Sequence, residues 1–257
     1  MTEPTDTKPA GKKPRRKSKS KKSTSQNTEK KSASKKVAPV VDNAETFALE
    51  QSFADLGLPD EIQKSLDERG FVHPTKIQSQ LIPIALTGKD VLGQARTGTG
   101  KTAAFGLPAL ATIKVGEPFS AMILVPTREL AIQVADEMKD FARFSGHRVV
   151  PVYGGQKITT QAPKLEKNPE IIVGTPGRVM DMHERGYLPY NKVRVAILDE
   201  VDRMLDIGFR DDIRKILGKM SRDRQTIFVS ATISDEIEKL SRSYMDAPEK
   251  IVTTGKS

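Results

Sequence analysis

The segment Ala95-Arg-Thr-Gly-Thr-Gly-Lys-Thr102 sets two glycines, a lysine and a hydroxyl at a spacing suited to phosphate. Backbone N–H groups of a glycine-rich turn converge on phosphate oxygens, and the N-terminus of a following helix adds positive potential. Lys101 would reach the β and γ phosphates, and the Thr102 hydroxyl would ligate Mg²⁺. Gly98 and Gly100, interleaved with Thr97 and Thr99, permit the close approach. The general pattern GxxxxGK(S/T) wants glycine where this chain has Ala95, so the match to a generic nucleotide hydrolase is imperfect. The competing reading is a tight strand-to-helix turn with an exposed lysine.

A second constellation is Val195-Ala-Ile-Leu-Asp-Glu-Val-Asp202, an apolar run that delivers three carboxylates in four residues. Carboxylates bunched at the end of a buried strand repel one another and need a cation. With the phosphate loop about a hundred residues upstream, that cation is Mg²⁺ on a nucleotide. Asp199 is then the metal-side carboxylate, and Glu200 is placed to orient and deprotonate water. Alone, such a string reads more readily as a solvated helix cap.

Short apolar runs must position these groups. Residues 91–93, 122–125, 149–153, 171–173, 193–198, 227–229 and 251–252 alternate with helical stretches such as 59–69, 128–144 and 235–244. In the first of these helical stretches, Leu58, Ile62 and Leu66 recur at helical spacing, Pro59 suits a first turn and Gly70 a stop. The alternation predicts βαβ units: an α/β fold with a mostly parallel sheet and helices on both faces. Ligands of such sheets sit at the carboxyl ends of strands. The loops there carry Pro126-Thr-Arg-Glu-Leu-Ala131, Gly154-Gly155, Thr175-Pro-Gly-Arg178 and Ser230-Ala-Thr232. Each has a local explanation, since Thr-Pro-Gly-Arg is a good turn and Ser-Ala-Thr could cap the helix near Asp235. Six short elements in order, each directly after its own strand, are harder to explain locally.

Charge separates the chain into two parts. Of 42 basic and 33 acidic residues, 13 and 3 lie in residues 1–41, a local net of +10, which leaves 29 and 30 in residues 42–257 and a net of −1. The first part is rich in Lys, Ser, Thr, Pro and Ala and has too few apolar side chains to offset its ordering entropy, so a disordered basic tail is expected. It could release counterions from nucleic acid, solubilise the protein or serve as a nuclear address. The 216-residue remainder suffices for one domain. The absence of cysteine excludes disulfides and thiolate sites. No apolar run approaches the roughly 18 residues of a membrane span, and no secretory h-region is present. A soluble protein is expected, cytoplasmic, or nuclear or nucleolar in a eukaryote.

From Phe53 to Thr253 the sequence resembles the DEAD-box RNA helicases. That family writes its phosphate loop AxTGxGKT, which makes Ala95 the expected residue, and its acidic motif D-E-A-D, here Asp199-Glu200-Val201-Asp202 with valine for alanine. The resemblance implies a RecA-like domain that binds ATP and Mg²⁺ and hydrolyses ATP to remodel RNA duplexes. It also implies an adenine-reading element, matched by Gly70-Phe71-Val72-His73-Pro74-Thr75-Lys76-Ile77-Gln78 with Phe53 seventeen residues before its start. A glutamine amide offers the donor and acceptor that suit the N6 and N7 edge of adenine, and an aromatic can stack on the base. From residue type alone, Gln78 reads as an exposed helix residue and Phe53 as core; the resemblance reverses both. It further implies that Pro126, Thr127, Arg128, Gly155, Thr175 and Arg178 hold the backbone of single-stranded RNA without reading bases, and that Ser230 and Thr232 couple nucleotide state to the strand through Asp202. His73 matches no catalytic role, and His147 and His183 are expected at the surface.

Helicases of this class resemble two RecA-like domains closed over ATP, and residues 42–257 provide one. A second, acting in cis or in trans, would add arginine fingers and half of the RNA cleft, so the chain alone is expected to be a monomer of poor activity. Two alternatives stand: the N-terminal half of a longer helicase, or a natural single-domain ATP- and RNA-binding module without unwinding activity.

Overall fold

The computed structural model describes residues 47–253; the expected basic tail lies outside them. Along the chain a 3₁₀ turn (Phe53–Leu56) leads to helices α1 (Asp60–Glu68) and α2 (Lys76–Leu86), then β1 (Val91–Gln94) and α3 (Lys101–Thr112). Next come β2 (Ala121–Leu124), α4 (Arg128–Phe141), β3 (Val149–Val152), α5 (Ile158–Leu165), β4 (Ile171–Gly174) and α6 (Pro176–Glu184). The last third holds β5 (Val195–Asp199), α7 (Val201–Ile207), α8 (Arg210–Lys219), β6 (Gln225–Ser230), α9 (Asp235–Tyr244) and β7 (Glu249–Val252).

All seven runs expected to be strands are strands. They form one sheet in the order β3-β4-β2-β5-β6-β1-β7, in which every neighbouring pair is parallel, so the sheet is fully rather than mostly parallel. Most boundaries shift by one or two residues, and two of the shifts have a visible local cause. The run at 193–198 starts as strand only at Val195, because Tyr190–Lys192 form a 3₁₀ turn closed by the Val193 N–H on the Tyr190 carbonyl. The helix at 128–144 ends at Phe141, since the chain turns through Gly146 at φ 80°.

Strand periodicity divides the core in two. In β5, Val195 and Ile197 pack with α1 to α4 on one face, whereas Ala196 and Leu198 pack with α6 to α9 on the other. Parallel crossovers are right-handed, so a reversal in the direction of strand addition moves the helices to the opposite face. From β1 through β2 to β3 the chain steps toward one edge, and from β3 through β4, β5 and β6 to β7 it steps back. That path separates the helices, and it places β5, β6 and β1 side by side and β3, β4 and β2 side by side.

Candidate functional site

At the carboxyl ends of β1, β6 and β5 the phosphate loop, the Ser230 segment and the carboxylates meet. Register sets Gln94 opposite Ser230 and Asp199 opposite Val229, so three distant segments emerge level. The Ala95 N–H donates to the Ser230 carbonyl (3.0 Å), and Ala95 is fully buried, a place where its methyl group contributes packing. Thr97 and Gly98 stay exposed, and the Thr99 hydroxyl closes the turn on the Arg96 carbonyl (2.7 Å). Gly98 and Gly100 have φ of 85° and 79°, which an L side chain rarely adopts. Thr102 lies in the first turn of α3, beside Lys101.

Lys101 is 7% exposed; its Nζ lies 3.8 Å from Asp199 Oδ1 and has no hydrogen-bond partner among the described residues. A buried ammonium without a bonded acceptor is costly and marks a place for an anion. Burial pushes the Asp199 carboxyl up to about 6, outweighing the pull of Lys101 and of the Glu200 N–H, which donates to Asp199 Oδ1 (2.9 Å). Glu200 itself takes up φ 55°, ψ 51°, a left-handed conformation unusual for a residue with a side chain. Its carboxylate accepts from Arg203 Nη1 at 3.2 Å. Asp202 bridges to the β6 end: its N–H donates to Ser230 Oγ (3.1 Å), and its Oδ2 accepts from both the N–H and the hydroxyl of Thr232 (2.9 Å each). Burial raises the Asp202 carboxyl, but the Thr232 and Ser230 hydroxyls and the backbone donors together hold it below the usual range.

Gln78 sits against this loop. With Thr75 it forms a capping box at the start of α2, its Oε1 accepting from the Thr75 N–H (2.8 Å) while Nε2 donates to the Gly100 carbonyl (2.9 Å). Gln78 is 2% exposed, and a Cβ on Gly100 would collide with its amide. Phe53 does not join the group. It is 1% exposed and packs T-shaped with Phe71, ring centroids 5.8 Å apart. The core reading given by residue type holds for Phe53.

The ends of β2, β4 and β3 gather the other expected residues. Thr127 caps α4, its hydroxyl accepting from the Leu130 N–H (3.2 Å), directly after the buried Pro126. The Arg128 guanidinium lies 5.2 Å from the Tyr153 ring centroid, and a Cβ on Gly155 would stand 3.3 Å from its Nη1. Thr175 precedes α6, and Arg178 on that helix donates to the Gln156 carbonyl (2.8 Å). Arg128 and Arg178 therefore flank one loop, residues 153–156, which contains Gly155. Sequence reasoning passed over three residues that hold these groups: Tyr153, Arg203 and the buried Gln161, which bonds the Tyr153 backbone. Glutamine gives no periodic or charge signal of burial. His147 and His183 are half-buried rather than surface residues: His147 is bonded to Ser145 and the Ile113 carbonyl, and His183 stacks on Tyr190 at 3.7 Å.

A fully parallel sheet with a glycine-rich strand-to-helix turn at its carboxyl edge defines a P-loop domain of the RecA-like kind. The model of the DEAD/DEAH box helicase family matches residues 75–240, and the chain belongs to that family. A DEAD-box ATP-dependent RNA helicase CshA of Geobacillus kaustophilus (strain HTA426) is 44% identical over 206 residues, covering 80% of this chain and 44% of that protein. An ATP-dependent RNA helicase CshA of Listeria monocytogenes serovar 1/2a (strain ATCC BAA-679 / EGD-e) is 46% identical over 200 residues, 77% of this chain and 38% of that one. The crystal structure of a DEAD box protein from the hyperthermophile Methanococcus jannaschii aligns with a TM-score of 0.75 at 40% identity, covering 79% of this chain and 56% of the other. The chain spans less than half the length of these curated relatives.

Proposed function

We propose that the chain is the first RecA-like unit of an ATP-dependent RNA helicase, taking ATP with Mg²⁺ at the β5-β6-β1 edge and single-stranded RNA at the β3-β4-β2 edge. The observation that carries this reading is the buried Lys101 ammonium, unbonded among the described residues and 3.8 Å from Asp199, beside two glycines of positive φ. The residues present fit a nucleotide with its metal: the ammonium lacks an acceptor, and the carboxylate is held in a buried place that disfavours its charge. Thr102 and Asp199 would hold Mg²⁺, partly through water, and the ion when bound supplies charge neutralisation at the β and γ phosphates.

The chain's own residues do the rest. The backbone of 95–102 cradles phosphate and Lys101 neutralises it. Gln78 exchanges its bonds to Thr75 and Gly100 for the adenine edge, which ties base recognition to the shape of the loop. Glu200 orients and deprotonates the attacking water, with Arg203 holding its carboxylate to one side. Through Asp202, Ser230 and Thr232 a change at the nucleotide reaches β6. Pro126, Thr127, Arg128, Gly155, Thr175 and Arg178 grip a sugar-phosphate backbone, which is sequence-blind, and 2′-hydroxyl contacts favour RNA. A second RecA-like domain would add arginines worth about 10³ to 10⁵ in rate in related hydrolases, and the greater length of the relatives supports its involvement. The test is Lys101→Ala: binding of a fluorescent ATP analogue should be lost while circular dichroism stays unchanged. Undiminished binding would overturn the phosphate-loop assignment.

A further inference from the structure

Gln161 lies on α5, is 0% exposed, and carries no charge, metal-ligating group or motif signature. Its amide makes two bonds to a single residue: Oε1 accepts from the Tyr153 N–H at 3.1 Å and Nε2 donates to the Tyr153 carbonyl at 2.9 Å. Tyr153 is the first residue beyond β3, which is an edge strand, and the last ladder bond to β4 on this side runs from the Thr175 N–H to the Val152 carbonyl. Among the described residues no strand is left to pair with Tyr153. The Gln161 side chain takes that place, as one more rung would, and carries the strand geometry one residue further into the loop.

Tyr153 in turn sets the course of the loop. Tyr153 is 8% exposed, and the Arg128 guanidinium lies over its ring, with 5.2 Å between the guanidinium carbon and the ring centroid. Gly154 and Gly155 come next, and Gly155 at φ 78° passes so close to Arg128 that a Cβ would stand 3.3 Å from Nη1. The far end of the same loop is fixed where Arg178 Nη1 donates to the Gln156 carbonyl at 2.8 Å. Two glycines left between these anchors would otherwise sample many conformations.

We propose that Gln161 is a positioning residue for RNA binding: by clasping the Tyr153 backbone it fixes the loop 153–156 and, through the Tyr153 ring, the direction of Arg128. It touches no RNA itself. The inference rests on the reading that Arg128 and Gly155 meet the RNA backbone. Replacing the amide by an apolar side chain of similar length leaves a buried N–H and a buried carbonyl unpaired, so the loop relaxes toward solvent to satisfy them.

The experiment uses the full 257-residue chain, a fluorescently labelled single-stranded uridine oligonucleotide and a fluorescent ATP analogue, at one fixed salt concentration. Gln161→Met should weaken oligonucleotide binding about 10-fold, equivalent to about 1.4 kcal/mol, and leave binding of the ATP analogue unchanged. In a double-mutant cycle with Arg128→Ala, the two losses should fail to add for RNA, because both act through the same guanidinium. A purely structural glutamine would lower thermal stability, and its effect on RNA would add to that of Arg128→Ala. Where Gln161→Met does not fold, Gln161→Glu decides, since it keeps size and the acceptor for the Tyr153 N–H but loses the donor, and RNA should again weaken. If Arg128→Ala weakens RNA binding but neither Gln161 variant does, or if the losses add, the positioning role is overturned. If Arg128→Ala has no effect, the RNA reading of the loop fails first.

Discussion

Asp199→Asn should make the ligand-free protein more stable. In this fold the carboxyl titrates at about 6 because it is buried, against 3.8 for an ordinary aspartate. The gap corresponds to about 3 kcal/mol held against the ionised form at neutral pH. Asparagine has the shape of the protonated acid and keeps an oxygen for the Glu200 N–H, so most of that energy should return. Lys101 loses its carboxylate neighbour in the variant, but protonated Asp199 lacks that ion pair too, so the cost is already inside the balance. A gain of about 2–3 kcal/mol raises the melting temperature of a domain this size by roughly 5–10 °C. The assay is thermal unfolding by circular dichroism with a chelator present, so that no divalent ion meets the site. A raised folded pKa means the penalty is absent below 3.8, grows as pH rises and is complete above about 6. The difference between variant and wild type should therefore be largest at pH 7 to 8 and vanish in acid. Equal melting temperatures at pH 7.5, or a less stable variant, would refute the argument that burial at Asp199 is maintained for function at a cost in stability.

Other expectations concern single sites. Glu170, fully buried, accepts from the Arg148 side chain and from the N–H groups of Arg148 and Gly116; against burial these hold its carboxyl down to about 2. Its contribution is complete above 4.5 and lost as pH falls toward 2, and Glu170→Gln should cost about 2–3 kcal/mol by denaturant titration at pH 7. Gly174→Ala should destabilise by about 1–3 kcal/mol, because a Cβ there would stand 2.7 Å from the Val152 carbonyl oxygen and strike Val179; a neutral result in thermal melts would show that β3 and β4 can part. Removing residues 1–41 should flatten the slope of log K against log salt for RNA by roughly 4 to 6 if six to eight tail cations meet phosphates, with ATP-analogue binding untouched. An unchanged slope would leave the tail a solubilising arm.

Much of the fold was legible in the sequence because parallel strands buried on both faces are short apolar runs, and all seven were visible as such. The phosphate loop and the acidic strand were legible because their chemistry permits few other residue types: glycine allows the backbone to pass close to phosphate, and a lysine followed by threonine or serine finishes such a loop. Gln161 and Tyr153 were not legible, because a buried amide that bonds a backbone is set by three-dimensional neighbours alone. Phe53 shows the same limit from the other side, since its type placed it in the core and only its packing could confirm that.

The order of strands is what the sequence left open. Along the chain the glycine-rich loop after β1 is separated from the carboxylates after β5 and the Ser230 segment after β6 by the loops of β2, β3 and β4, which carry residues 126–128, 155 and 175–178. The sheet sorts them, placing the loops of β1, β5 and β6 together and those of β2, β3 and β4 together. Sequence determines which residues stand at the carboxyl end of each strand, because local hydrophobicity sets where a strand begins and stops. Which strands are neighbours depends on crossover handedness and on how helices pack over both faces, and those are properties of the whole domain.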